Sequence, residues 1–361
     1  MLVDLDYFFA QCEELRNPSL REKPVVICVF SGRSEDSGAV STANYVARKY
    51  GVRSGMPIFL AKKRLENVDA AFLPVDDQFY DEVSQRVMKI LKGFADEFEQ
   101  VGIDEAFLDV SKRTQADFLD GEELAGKIKS ELFNQEKLTC SVGVGPNKLI
   151  AKIAADEKKP DGLTVTSLDQ VVNFLDPLPV NRMIGVGTKT LEKMKTMSIN
   201  TIGDLAKYDI QRLTAVFGKT LGVYFHNASL GIDNEPVQEK GETESISRIA
   251  TLKQNTRDLN VIMNDAIELC NDLHTRVVNE KLTFKTVGII AITADINTHS
   301  RSKTLDSPSN SLELMKKTVH ELFENFLDES EIDLRRVGVK LSNLSTADKN
   351  QAQITRFFEA T

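Results

Sequence analysis

The chain is poor in the features that mark membrane, exported and zinc-binding proteins. Across 361 residues no apolar run approaches the roughly 18 that a membrane helix needs, and the longest, VGIIAI from Val287, reads as a strand. The opening MLVDLD carries acid where a secretion signal would carry base, which argues against export. Cysteine is scarce: Cys12, Cys28, Cys140 and Cys270 show no C-x-x-C spacing, so reduced thiols in the cytoplasm are expected rather than a disulfide framework. His226, His274, His299 and His320 are equally dispersed, and neither set supports a zinc site. Base is not in surplus either. Lys and Arg number 45 against 54 Asp and Glu, a net charge of -9, which at first sight argues against nucleic acid. Acid on outer faces with base gathered on one surface gives the same total, so local patterning has to decide.

What is present is a globular composition, 41% hydrophobic and 27% charged. The length exceeds what one core normally organises, so several domains are expected. The most informative feature is Asp104-Glu105 inside VGIDEAFLDV, together with Asp4 inside MLVDLDYFF. Carboxylates on apolar strands repel one another and lose hydration, so they persist there with compensation, most simply from divalent cations. Along a strand Asp4 and Asp6 face one way and Val3 and Leu5 the other. Hard oxygen ligands suit magnesium, shared with substrate phosphates. The reading is a two-metal phosphoryl-transfer site, with Asp6 either structural or a support behind the ligands. A solvated Asp-Glu turn is the competing reading, weakened because that pair lacks the Gly or Asn that tight turns favour.

The pattern along the chain is a strand over 1–10, then a small α/β insertion over 11–73 with a strand PVVICVF and a helix STANYVARKYG. From 74 to 163 helices alternate with a hairpin over 98–110 and a strand LTCSVGVG, a ferredoxin-like order with helices on one sheet face and the acidic pair at the hairpin tip. Residues 164–230 read as short helices only, 231–241 as a polar linker, and 242–342 as a second α/β unit ordered strand, helix, strand, strand, helix, strand. A polar tail over 343–361 follows.

Thr42, Tyr45 and Arg48 recur at three-residue spacing, which places hydroxyl, phenol and guanidinium on one helix face able to hold a triphosphate. A solvated helix face competes with that reading, as a helix-end lysine does for Lys159. MIGVGTKTLEKM has the form of a helix-hairpin-helix, in which Gly185 and Gly187 let the backbone approach a DNA phosphate beside Lys189; a plain glycine turn is the alternative. FGKT is no P-loop, because its first glycine would fall on Leu213. Arg248, Lys253, Lys285, Arg301, Lys303, Arg335, Arg336 and Lys340 alternate with apolar residues on the last strands, and such a sheet could lay a basic face along a duplex. The acid of NDAIELCND and HELFENFLDESE would then sit on its helices. In the tail, Gln351, Ile354, Phe357 and Phe358 would form a short turn offering Ile and two Phe to a pocket, on a partner or on this chain itself.

Taken in order, DLDYFF, SGAVSTANYVARKYGV, GIDEAFLDV, VGVGPNKLIAKIAADEKKPDG and IGVGTKTLEKM resemble the Y-family translesion DNA polymerases, nearest to the archaeal DNA polymerase IV (DinB-like) branch. The resemblance covers 1 to about 342 and implies an α+β multidomain right hand. Its parts would be a ferredoxin-like palm (1–10 and 74–163), α/β fingers (11–73), a helical thumb (164–230), a linker (231–241) and an α/β little finger (242–342). It implies Asp4, Asp104, Glu105 and the Leu5 carbonyl as ligands for two Mg2+, with Mn2+ as a substitute, and Tyr45, Arg48, Lys159 and the amides of Phe8 and Phe9 as triphosphate contacts. Phe9 would be the steric gate against a 2'-hydroxyl. The tail resembles the motif that binds the sliding clamp of archaea and eukaryotes. The expected activity is template-directed, low-fidelity synthesis on primer-template DNA from deoxynucleoside triphosphates, by a cytoplasmic monomer without proofreading. A palm-type nucleotidyl cyclase would share the metal chemistry but has no use for the glycine hairpin, basic sheet or tail. A non-catalytic scaffold would not need the three carboxylates.

Overall fold

The computed structural model describes residues 1–239, 241 and 243–346. The chain opens with β1 (Leu2–Leu5), α1 (Phe8–Arg16), β2 (Val25–Phe30), β3 (Gly38–Ala43), α2 (Tyr45–Lys49), α3 (Ile58–Arg64) and β4 (Ala71–Pro74). It continues with α4 (Asp77–Gly93), β5 (Glu97–Gln100), β6 (Glu105–Asp109), α5 (Phe118–Glu136), β7 (Cys140–Val144), α6 (Lys148–Glu157) and β8 (Leu163–Val165). Helices α7 (Val171–Leu175), α8 (Thr188–Thr196), α9 (Ile202–Ala206), α10 (Ile210–Phe217) and α11 (Lys219–Ser229) follow. The last run is β9 (Ser245–Thr256), α12 (Leu259–Asn279), β10 (Leu282–Thr293), β11 (Thr298–Ser309), α13 (Leu312–Glu329) and β12 (Leu334–Thr346).

These elements gather into two compact units. One holds Met1–Cys28, Val40–Met56 and the chain from Leu60 to the linker; the other holds Val29–Ala39, Pro57–Phe59 and the described residues after the linker. In the first unit a sheet runs β5-β6-β1-β7-β8. Val3 and Leu5 of β1 and Leu108 of β6 join a core with Val83, Val87 and Leu91 of α4 and Ile128 and Leu132 of α5. Those helix positions recur every four residues, the spacing of one buried stripe. Asp76 and Asp117 start the two helices by accepting hydrogen bonds from first-turn amides.

The sheet is not bare on its other side, as helices on one face would have left it. Leu2 and Phe107 pack there against Ala151 and Ala155 of α6. Small residues bring the helix close: a Cβ at Gly143 of β7 would stand 2.0 Å from the Ala151 carbonyl oxygen. The stretch 164–230 is also not wholly helical. Residues Leu163–Val165 form β8, parallel to β7, a strand too short to show a period. The polar stretch after Ser229 is tied down within this unit: Asn147 donates to the Gly231 carbonyl, the Leu149 amide donates to Asp233, and Val237 packs against the Leu2 and Phe107 cluster.

The other unit carries an antiparallel sheet ordered β11-β10-β12-β9. Its core joins Val287, Ile289, Val337 and Val339 to Leu273 of α12 and Phe323 of α13, in the order of elements that the sequence predicts. The tail residues Gln351, Ile354, Phe357 and Phe358 lie outside the described residues.

Candidate active site

Pairing of β1 with β6 sets Asp4 directly opposite Glu105. The Leu5 amide donates to the Asp104 carbonyl oxygen at 2.8 Å, which brings Asp104 to the end of β1. Glu105 begins β6 and Asp104 closes the turn after β5, at the hairpin tip. Since Leu2 packs toward α6, Asp4, two residues on, shares that face. The side of the sheet bearing the carboxylates is therefore the side covered by α6.

Burial lifts the Asp4 carboxyl from its ordinary 3.8 to about 6, opposed by the Lys159 ammonium and assisted by the charges of Asp104 and Glu105. Asp104 is raised too, by burial and then by Glu105. The strand pairing thus gathers three acids close enough to repel one another in a poorly hydrated place. Two lysines partly compensate. Lys159 Nζ lies 2.7 Å from Asp4 Oδ2 and 2.9 Å from Asp156 Oδ1, and Lys152 Nζ lies 2.9 and 2.8 Å from the two oxygens of Glu105. With the carboxylates engaged in this way, no three His, Cys, Asp or Glu side chains form a ready metal cage among the described residues. The donor set nevertheless fits a hard divalent cation: it is all oxygen, largely buried, and short of positive charge.

Asp6 is different. Its buried carboxylate accepts from Thr139 Oγ1 (2.9 Å), Ser141 Oγ (2.7 Å) and the Asp161 amide (2.9 Å). Satisfied in this way, it is a brace between β1, β7 and the turn before β8. That brace secures Tyr7, which turns the chain in the left-handed region at φ 37° and ψ 43°. A non-glycine residue there is strained, a cost found where backbone must be aimed. The result is that α1 starts at Phe8 without a side-chain cap, and Phe8 and Phe9 of its first turn line the cavity.

That cavity, of about 270 Å³, is lined by Asp4, Leu5, Phe8, Phe9, Asp104 and Lys159. Thr42, Tyr45 and Arg48 line it as well. They do not share one helix, however, because Thr42 lies on β3 and α2 begins only at Tyr45. Asn44 divides them. It is buried, its side-chain oxygen accepts from the Val25 and Ala47 amides, and its amide group donates to Glu14 and to the Lys23 carbonyl. As an N-cap it forbids a helix through residue 42. Arg48 is held by the Ala43 carbonyl at 2.8 Å and lies 4.7 Å from the Tyr45 ring centre. The Phe9 ring stacks on Tyr80 at 4.3 Å.

The sequence reading missed Lys152, Ser41 and Ser54; the two serines also line the cavity. A signal for Lys152 existed: Lys148 and Lys152 are four apart, on one face of α6, and Lys148 pairs with Glu99 on β5 at 2.7 Å.

The glycine hairpin is present in part. Gly185 takes φ +86° and Gly187 opens α8, with Lys189 exposed in its first turn. The element before it is a single 3-10 turn, Val180–Arg182, rather than an α-helix.

The expected basic face on the second sheet needs a correction. Cross-strand partners share a face, and Arg301, Lys303 and Arg248 stand opposite Ile289, Val287 and Val339, which point into the core beneath α12 and α13. These three bases therefore lie on the helix side, where Arg301 pairs with Glu329 at 3.0 Å and Lys303 with Glu321 at 2.7 Å. Arg336 and Lys340 fall on the open face, opposite Thr251 and Ser247. Lys253, Lys285 and Arg335 sit where the register breaks, so alternation assigns them no face.

Family models agree with this architecture. Residues 3–156 match the impB/mucB/samB family, 243–355 its C-terminal domain, and 182–233 the thumb domain of DNA polymerase iota. DNA polymerase IV of Nitrosopumilus maritimus is 46% identical over 99% of this chain and 98% of that relative. DNA polymerase IV 1 of Methanosarcina mazei is 44% identical over 95% of this chain and 94% of its own length. Among solved structures, a Y-family DNA polymerase chimera of Dbh and Dpo4 superposes with a TM-score of 0.90 at 37% identity, covering 96% of this chain and 98% of that one. An insertion ternary complex of Dbh DNA polymerase gives 0.69 at 36% identity, with the same coverage. The chain belongs to the impB/mucB/samB family of Y-family DNA polymerases and is a DNA-directed DNA polymerase.

Proposed function

We propose that Asp4, Asp104 and Glu105 hold two Mg2+ ions, replaceable by Mn2+, with the Leu5 carbonyl as a further ligand. The observation that carries this reading is the register pairing of Asp4 with Glu105 beside Asp104, in a place where burial raises both aspartates. Bound there, divalent cations supply activation of a primer hydroxyl and neutralisation of the leaving pyrophosphate.

The chain's own groups do the rest. Arg48, Tyr45, Thr42 and Lys159 bind the triphosphate of an incoming deoxynucleotide, and the first amides of α1, at Phe8 and Phe9, assist as donors to anionic oxygen. The Phe9 ring, fixed against Tyr80, lies under the sugar and excludes a 2'-hydroxyl.

In this reading residues 1–10 and 74–163 are the palm, 11–73 the fingers, 164–230 the thumb and 242–342 the little finger. Gly185, Gly187 and Lys189 hold one stretch of duplex backbone. Arg336 and Lys340, on the open sheet face, hold another, with Arg335 and Lys253 beside them; Arg248 contributes at its edge, as do Arg301 and Lys303 on release from Glu329 and Glu321. The enzyme is a cytoplasmic monomer that copies damaged templates, and Gln351, Ile354, Phe357 and Phe358 tether it to a sliding clamp. Replacing Phe357 and Phe358 with Ala should abolish clamp pull-down and spare basal extension; unchanged pull-down removes that claim.

The test of the site is primer extension by the Asp104→Ala/Glu105→Ala variant. Loss of extension with primer-template binding retained supports the assignment, and extension at the wild-type rate refutes it.

A further inference from the structure

Helix α6 presents a ladder of lysines to the acidic strands beside it. Lys148 meets Glu99 on β5, Lys152 meets Glu105 on β6, and Lys159, just beyond the helix, meets Asp4 on β1. The helix that carries the ladder is fixed: Asn147 caps it, Asp233 accepts from its Leu149 amide, and Ala151 and Ala155 seat it on the sheet. Lys152 is therefore delivered to Glu105 by a rigid element rather than by a wandering surface side chain.

The middle rung differs from the others. Its ammonium contacts both oxygens of Glu105, at 2.9 and 2.8 Å. The pair is partly sheltered, with side-chain exposures of 32% for Lys152 and 20% for Glu105, so solvent screens it less than a surface pair. An ammonium and a divalent cation compete for the same lone pairs. While Lys152 holds both oxygens, any cation that needs Glu105 must either displace it or share an oxygen with it. Its apparent affinity is then reduced by the fraction of protein in which Glu105 is released.

We propose that Lys152 is a positioning residue that occupies Glu105 in the metal-free enzyme and is the competitor a divalent cation has to displace. It holds Glu105 aimed at the site and keeps the carboxylates from trapping a cation before substrates bring further ligands. This inference rests on the assignment of Glu105 as a cation ligand.

The test is Mn2+ binding to the full-length protein without DNA or nucleotide, followed by electron paramagnetic resonance. Four proteins are compared: wild type, Glu105→Gln, Lys152→Met and Lys152→Arg. Methionine keeps an unbranched side chain of similar length without charge, and arginine keeps the charge. The expected result is that Glu105→Gln weakens Mn2+ binding, Lys152→Met lowers the Kd about tenfold or more, as removal of one like charge at contact distance requires even with water-like screening, and Lys152→Arg stays near wild type. A residue that merely supported the fold would leave the Kd unchanged or raise it, and either result for Lys152→Met overturns the proposal. Mn2+ binding that is indifferent to Glu105→Gln overturns the underlying ligand assignment instead. Should Lys152→Met fail to fold, Lys152→Gln gives the same comparison, since it can donate to Glu105 without charge.

Discussion

Asp4 on β1 stands directly across from Glu105 on β6, far from it along the chain. The intervening residues build the β3-β2-β4 sheet and α4 before returning to supply the partner. The site is thus a product of strand register. A one-residue slip of β6 would turn Glu105 toward the core with Ala106 and Leu108.

Asp4 is held at a cost to stability, and the cost depends on pH. Its folded-state carboxyl is raised from 3.8 to about 6, so the folded protein favours the neutral form. The penalty is absent below about pH 4, grows between the two values, and is complete above about pH 6. Asp4→Asn should therefore stabilise the protein by about 3 kcal/mol at pH 8, with the gain vanishing toward pH 4. Urea midpoints across that range check it, and a gain that does not change with pH contradicts it.

Asp6 should behave in the opposite way. Three donors converge on its buried carboxylate, so Asp6→Ala strands all of them. The expected loss is about 3 kcal/mol of stability, read as a lower denaturant midpoint at neutral pH. A loss below about 1 kcal/mol would show that the brace is unnecessary.

Phe9 is a test of sugar selection. With the ring locked on Tyr80, Phe9→Ala opens the space beneath a nucleotide sugar. Ribonucleotide incorporation relative to deoxynucleotide should rise by roughly 10- to 200-fold, the range over which a pocket's shape discriminates small groups. Competitive single-nucleotide insertion measures the ratio; an unchanged ratio assigns the gate elsewhere.

The two faces of the second sheet make different predictions about salt. Arg336→Ala and Lys340→Ala should each weaken DNA binding and reduce the slope of log affinity against log salt by about one. Arg301→Ala and Lys303→Ala, whose side chains are paired with Glu329 and Glu321 on α13, should change the slope little. Fluorescence anisotropy over a salt series separates the two pairs. Equal effects would mean that the helix-side bases leave their partners to meet DNA.

The carboxylates were legible in the sequence because acid on an apolar strand is expensive and therefore conspicuous. Asp6 was legible as structural, although its partners Thr139, Ser141 and Asp161 were not, since they converge only through the pairing of β1 with β7. The nucleotide-facing set was found by its residue types but placed on the wrong element. Asn44 reads as one more polar helix residue until its four hydrogen bonds show it as a cap. The spacing of Lys148 and Lys152 marked one helix face, but the role of Lys152 was not legible, as it depends on which strands α6 covers. In THSRSKTLDSPS of β11, where Leu305 is the one large apolar side chain, only the register with β10 tells which face Arg301 and Lys303 take.

The account turns on whether Asp4, Asp104 and Glu105 meet around cations. Anomalous diffraction at the manganese edge, from crystals of the enzyme with primer-template DNA, a non-hydrolysable deoxynucleoside triphosphate and Mn2+, tests this most directly. Two peaks bounded by these three carboxylates, with Lys152 withdrawn from Glu105, are predicted. Peaks elsewhere, with Lys152 and Lys159 still seated on Glu105 and Asp4, would contradict it.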